Sequence, residues 1–144
     1  MLDVKIKKIS DDAKLPFRQT DGSSGYDLYS TETVTLNKMD RVLVSTGISM
    51  EIPIGYEAQV RPRSGLAVKK GITVLNSPGT IDADYRGEIK VILINLSNET
   101  VILEKYERVA QLVFQKIESV NFIITNDLSD TKRAEGGFGS SGSK

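Results

Sequence analysis

The 144-residue chain contains no cysteine, no histidine and no tryptophan. Without cysteine there are no disulfides and no thiolate nucleophiles. Without histidine, Ser-His-Asp and Cys-His catalysis cannot be assembled, and the two absences together deprive a zinc site of its commonest ligand types. Acid–base chemistry therefore falls to carboxylates, and any metal is a hard, oxygen-preferring ion such as Mg²⁺. An excess of either charge is missing too: 19 Lys plus Arg balance 19 Asp plus Glu. No overall field draws the chain to nucleic acid or to an anionic membrane, so an anion must be met by a local cluster. No stretch approaches the roughly 18 apolar residues of a membrane span, and MLDVKIKKIS lacks the apolar centre of an export signal. One soluble, cytoplasmic domain without nucleic-acid or membrane partners is the expectation.

What the chain does have is period-two alternation in short segments. Leu2, Val4 and Ile6 alternate with charged residues, Ile48, Met50 and Ile52 with Ser49 and Glu51, and Tyr56, Ala58 and Val60 with Glu57, Gln59 and Arg61. Further strands are predicted over 41–45, 72–75, 88–95, 101–103 and 120–125. Many short strands at close spacing predict an all-β sandwich or barrel. ERVAQLVFQKIESV fits a helical stripe about as well as a strand, but its β-branched and aromatic content favours strand. One short helix is predicted over 64–70, before Gly71.

Four stretches carry candidate chemistry. In VRPRSGLAVKKG, the Arg61–Gly65 segment suits either an anion-binding turn or an ordinary charged hairpin end. In LNSPGTIDADYRGEIKV, Asp82 follows Ile81 at a turn or hairpin, where it either faces a cleft or merely shapes the loop. Asp27 lies in the strand-like run GYDLYS and needs a cation or a hydrated metal as partner. The terminal RAEGGFGSSGSK reads as disordered by composition, yet Phe138 and Arg133 resist that reading, Arg133 having a fork suited to phosphate. A Walker-type loop is excluded by the order Gly-Ser-Lys and the lack of a following helix.

Taken in order, GYDLYS, RPRSGLA, NSPGTIDADYRGE, ERVAQLVF and RAEGGFGSSG resemble the five motifs of the homotrimeric deoxyuridine triphosphate nucleotidohydrolases (dUTPases). The resemblance spans residues 25–142. It implies a jelly-roll-like β domain over 1–125 and a flexible arm over 126–144 that closes over an active site shared among three subunits. It further implies hydrolysis of dUTP to dUMP and pyrophosphate, which limits uracil incorporation into DNA and supplies dUMP for thymidylate synthesis. By the same resemblance Asp82 activates the attacking water. Asn76 reads the uracil edge from a hairpin pocket lined by Gly79, Thr80, Ile81 and Lys90, and Tyr85 packs on the deoxyribose. Arg63, Ser64, Gly65 and Gln111 meet the phosphates, and Mg²⁺ bound to them touches Asp27 through water. Arg133 holds the γ-phosphate, while Phe138 and Gly139 close over the base. Ala134 stands where many family members have glycine, so a positive φ there would strain closure by about 1–2 kcal/mol. Two alternatives remain: a dCTP deaminase of the same fold, and a non-catalytic nucleotide-sensing or interaction module.

Overall fold

The computed structural model describes residues 1–138. Within them, strands β1 (Lys5–Lys8), β2 (Tyr26–Tyr29), β3 (Val34–Leu36), β4 (Arg41–Ser45), β5 (Ile48–Glu51) and β6 (Tyr56–Arg61) precede the helix α1 (Ser64–Lys70). Strands β7 (Ile72–Val74), β8 (Gly79–Ile81), β9 (Lys90–Asn95), β10 (Val101–Leu103) and β11 (Arg108–Lys116) follow it. One sheet has the order β2-β11-β6-β8 and another β4-β9-β7, with two ribbons, β1-β5 and β10-β3. The pairings are antiparallel and mostly between strands distant in sequence, giving a jelly-roll-like, all-β architecture.

The ambiguous ERVAQLVF segment is strand β11, central in its sheet. A bulge between Arg108 and Ala110 interrupts its register with β2, and Val109 and Ala110 are both buried, as are Leu112 and Val113. Adjacent buried pairs three residues apart imitate a helical stripe, which is why periodicity was ambiguous here. Helix α1 stops where Gly71 takes φ 64° and caps the last turn, with Lys69 and Lys70 beside the carbonyl end.

Leu28, Leu36, Ile48, Ile72, Leu93, Leu103 and Leu112 fill the core between the sheets and are at most 1% exposed; each such burial favours folding by about 1.5–3 kcal/mol. The buried Asn95 is fully employed: its amide donates to the carbonyls of Leu36 and Glu99, and its Oδ1 accepts from the amide and hydroxyl of Ser97. It thereby ties the β9–β10 turn to β3.

Three expectations need correction. The N-terminal strand runs over Lys5–Lys8 and is exposed throughout, Ile6 included, because it forms an outer ribbon with β5. Strand β3 was not foreseen; three residues display only one alternation. The predicted strand over 120–125 is absent. Val120, Phe122, Ile123 and Ile124 are 68–98% exposed, and the last ladder-like contact is Ile117 N–H to Gly55 O at 2.9 Å. Among the described residues the apolar alternation there pairs with no sheet edge.

An exposed clasp joins the first loop to the β10–β11 turn. Asp12 accepts hydrogen bonds from Lys105, Ser10 and the Tyr106 hydroxyl. The Lys14 ammonium lies 4.7 Å from the Tyr106 ring centroid and 5.2 Å from that of Tyr29. The bond from Lys105 first, then those from Ser10 and Tyr106, hold the Asp12 carboxyl far below its ordinary value of 3.8, and the same contact raises Lys105. A carboxyl depressed on folding stabilises above its unfolded pKa and loses that contribution as pH falls through the folded value. Asp12→Asn is therefore expected to lower the thermal midpoint slightly at neutral pH, with the difference from wild type closing as the pH falls below 3.8. Melting curves from pH 7 down into strong acid measure this. The effect is small because the group is exposed.

Candidate active site

Beyond β8, which pairs with β6, the chain turns at Asp82, where the Tyr85 N–H reaches the Asp82 carbonyl at 3.2 Å. It then enters β9, which belongs to the other sheet. Asp82 therefore sits on a crossing between two sheets and not on a hairpin. An open pocket of about 470 Å³ lies at this crossing, bordered by Asn76, Gly79, Thr80, Ile81, Asp82, Tyr85 and Lys90. Leu43, Val60 and Ile92 supply its apolar part and Glu88 a second carboxylate.

Backbone without side chains lets these groups approach. A Cβ on Gly79 would lie 3.1 Å from Asn76 Nδ2 and 3.3 Å from the Val60 Cβ, so glycine keeps the Asn76 amide against β6. A Cβ on Gly87 would meet the Tyr85 hydroxyl oxygen at 2.4 Å. The ring thus lies over bare backbone, and its hydroxyl donates to Glu88 O at 3.0 Å. The Glu88 carboxylate accepts the Gly47 N–H at 3.0 Å and pairs with Lys90 Nζ at 3.3 Å, fixing that ammonium at the pocket. Chemically, the pocket offers an amide able to donate and accept hydrogen bonds, a flat aromatic face and an exposed carboxylate.

A second cluster surrounds Asp27, which is 8% exposed. Arg63 Nε lies 3.2 Å from Asp27 Oδ1, and Arg108 NH1 lies 3.1 Å from Oδ2. Gln19 Nε2 donates to Oδ2 at 2.9 Å. Gln111 faces Asp27 across the β2–β11 ladder and donates to Pro62 O at 3.0 Å. A Cβ on Gly25 would fall 2.0 Å from Gln111 Oε1, so only glycine leaves that amide its place. Arg63 is the N-cap of α1 and its carbonyl accepts the Leu66 and Ala67 amides, while the amides of Ser64 and Gly65, which begin the first turn, have no intrahelical acceptor. None of these residues borders the Asp82 pocket.

Among the described residues of the tail, none borders the Asp82 pocket, and their hydrogen bonds are local. Arg133 Nε donates to Gly136 O at 2.7 Å, closing a local turn. Ala134 takes φ 44°, the left-handed region expected to be costly for it, and Phe138 takes φ 49° with its ring fully exposed. Gly139 falls outside the described residues. A larger groove of about 650 Å³ beside Met1, Leu15, Tyr26 and Phe114 contains none of the predicted site residues.

The motif reading passed over Arg108, Gln19 and Glu88. For Arg108 the signal was present: a cation beginning an otherwise apolar strand needs an acidic partner. That partner lies 81 residues away, beyond the reach of local pattern.

A divalent metal can be tested against this donor set. Among the described residues no three acidic side chains converge. Asp27 has about four lone-pair positions, of which Arg63, Arg108 and Gln19 take three. The one remaining fits a metal-bound water and not a direct ligand role, as suits Mg²⁺.

Fold and site together fit a small all-β hydrolase, with a carboxylate-bearing pocket at the sheet crossing and two arginines gathered about Asp27. The chain belongs to the dUTPase family, whose model matches residues 11–142. It is 60% identical over 140 residues to the deoxyuridine 5'-triphosphate nucleotidohydrolase of Hydrogenobaculum sp., covering 96% of this chain and 97% of that protein. Its identity to the enzyme of the same name from Nautilia profundicola is 54%, over 96% and 98% of the two chains. The dUTPase of Staphylococcus bacteriophage 80alpha, solved with dUPNHPP, superimposes with TM-score 0.90 at 28% identity, covering 97% of this chain and 98% of that one. No helix among the described residues is long and apolar enough to cross a membrane.

Proposed function

We infer that this chain hydrolyses dUTP to dUMP and pyrophosphate, Asp82 directing water onto the α-phosphorus. The observation that carries this reading is the meeting of Asn76, Gly79, Thr80, Ile81, Asp82 and Tyr85 in one pocket at the sheet crossing. Asn76 hydrogen-bonds the uracil edge, and a close fit around the bound base excludes the methyl group of thymine. Cytosine leaves buried polar groups unpaired, which is the costlier mismatch. Tyr85 packs against the deoxyribose where a 2′-hydroxyl would need space.

The carboxylate of Asp82 accepts the proton of the attacking water. Arg63 and the Ser64 and Gly65 amides bind phosphate oxygens, with Gln111 beside them, and this fixed arrangement provides positioning and charge stabilisation. Asp27, with one lone-pair position free, would hold a hydrated Mg²⁺ through water rather than directly, and that ion would add charge neutralisation on the triphosphate. Residues 1–125 form the body. Residues 126–144 form the arm that brings Arg133 to the γ-phosphate and Phe138 and Gly139 over the base. No described residue of the Asp27 cluster or of the arm borders the Asp82 pocket on one protomer, which supports a homotrimer whose sites draw each part from a different subunit.

Pyrophosphate and ammonia release from dUTP, dCTP and dTTP tests this reading. Pyrophosphate from dUTP is expected to exceed that from dCTP by about 10³-fold or more. Ammonia from dCTP would restore the deaminase alternative, and absence of any turnover would restore the sensing module.

A further inference from the structure

We propose that Glu88 is a positioning residue for base selectivity: its carboxylate aims the Lys90 ammonium into the Asp82 pocket, where a donor-only group favours uracil over cytosine. The role rests on reading that pocket as the base site. Asn76 cannot make the distinction by itself. Its amide holds both donors and an acceptor, so a half-turn matches it either to O4 and N3–H of uracil or to the amino group and N3 of cytosine. The residue is exposed, and no hydrogen bond among the described residues forbids that turn. An ammonium has three donors and no acceptor. It can meet a carbonyl oxygen, and it leaves an exocyclic amino group unpaired.

Lys90 borders the same pocket as Asn76. A lysine on its flexible four-carbon stem reads a base edge poorly unless something holds it. Glu88 does so: its Oε2 lies 3.3 Å from Lys90 Nζ, and its Oε1 accepts the Gly47 N–H at 3.0 Å. The anchor is itself rigid. Gly47 takes φ 69°, and a Cβ there would lie 2.8 Å from that of Ala13. Its neighbours grip Ile89 from both sides, the Thr46 hydroxyl donating to Ile89 O and the Ile89 N–H reaching Ile48 O at 2.9 Å. The Glu88 side chain is 21% exposed and that of Lys90 39%, so the ammonium is the more accessible partner. One of its three N–H groups is directed at Glu88, and the other two meet no acceptor among the described residues. In an ordinary surface pair both partners are mobile. Here one is fixed to backbone, and the other is thereby aimed.

Pyrophosphate release from dUTP and from dCTP by the full chain, by Glu88→Gln, by Lys90→Met and by the double variant tests the assignment. Glutamine keeps an oxygen for the Gly47 N–H and loses the charge that holds the ammonium. Each single change is expected to lower the dUTP-to-dCTP ratio of kcat/KM by about tenfold, through a higher KM for dUTP with kcat little altered. The double variant should match Lys90→Met, because Glu88 acts through Lys90 alone. An unchanged ratio in either single variant, equal losses for both nucleotides, or additive effects in the double variant would overturn the proposal. If melting curves show that Glu88→Gln does not fold, Glu88→Asp, which draws the carboxylate back from the ammonium, takes its place under the same criteria. Failure of the wild-type chain to hydrolyse dUTP would instead remove the reading of the pocket as the base site.

Discussion

Replacing Asp82 with asparagine is expected to lower dUTP turnover by about 10²–10⁴-fold, the usual contribution of a positioned general base. The substitution preserves shape and removes the proton acceptor. It should leave the fold intact, because Asp82 is exposed and its backbone carbonyl, which the Tyr85 amide uses, is unchanged. Affinity for dUpNHpp should stay near that of wild type, so the loss falls on kcat and not on KM. Single-turnover kinetics beside equilibrium binding separates the two quantities. A variant that turns over at nearly the wild-type rate would remove Asp82 from the chemistry.

Deleting residues 133–144 should be nearly as damaging, for a different reason. A charge-assisted contact from Arg133 contributes about 1.5–3 kcal/mol, and stacking of Phe138 on a base about 1–3 kcal/mol. Together these correspond to a fall of roughly 10²–10⁴ in kcat/KM. The body should fold unaided, since the described bonds of this segment are confined to its own turn: Ala134 N–H to Thr131 O, Gly136 N–H to Arg133 O, and Arg133 Nε to Gly136 O. The left-handed backbone at Ala134 belongs to that same turn, so its cost is met locally before any substrate arrives. Sedimentation and circular dichroism on the truncated chain establish folding and assembly, and dUTP assays the loss. Full activity without these residues would deny the arm its role.

Local patterns in the sequence revealed the elements whose signal is itself local. Gly71 and the two lysines before it marked the end of α1, and short apolar runs containing β-branched residues marked β4 and β10 over their observed ranges. The pocket's polar lining was implied by the family resemblance of one continuous stretch, Asn76 to Lys90, whereas its apolar wall of Leu43, Val60 and Ile92 comes from three separate strands. The anion cluster was only half legible. Asp27 plainly needed a partner, but which cation it meets depends on how β2 registers with β11 and on where the chain enters α1. The run from Val120 to Ile124 shows the converse problem. Its alternation describes a strand faithfully, yet a strand also requires an edge, and none within the described chain receives it.

That no described residue of the tail borders the Asp82 pocket of its own chain has a genetic meaning. In the shared-site assembly proposed above, a chain altered at Asp82 still carries a sound arm, and a chain without its arm still carries a sound pocket. Each lesion disables whichever sites receive the faulty part, wherever the rest of that chain happens to sit. Two alleles, each null when alone, would thus restore some working sites when co-expressed, and the phenotype of a mutation would depend on the allele it meets.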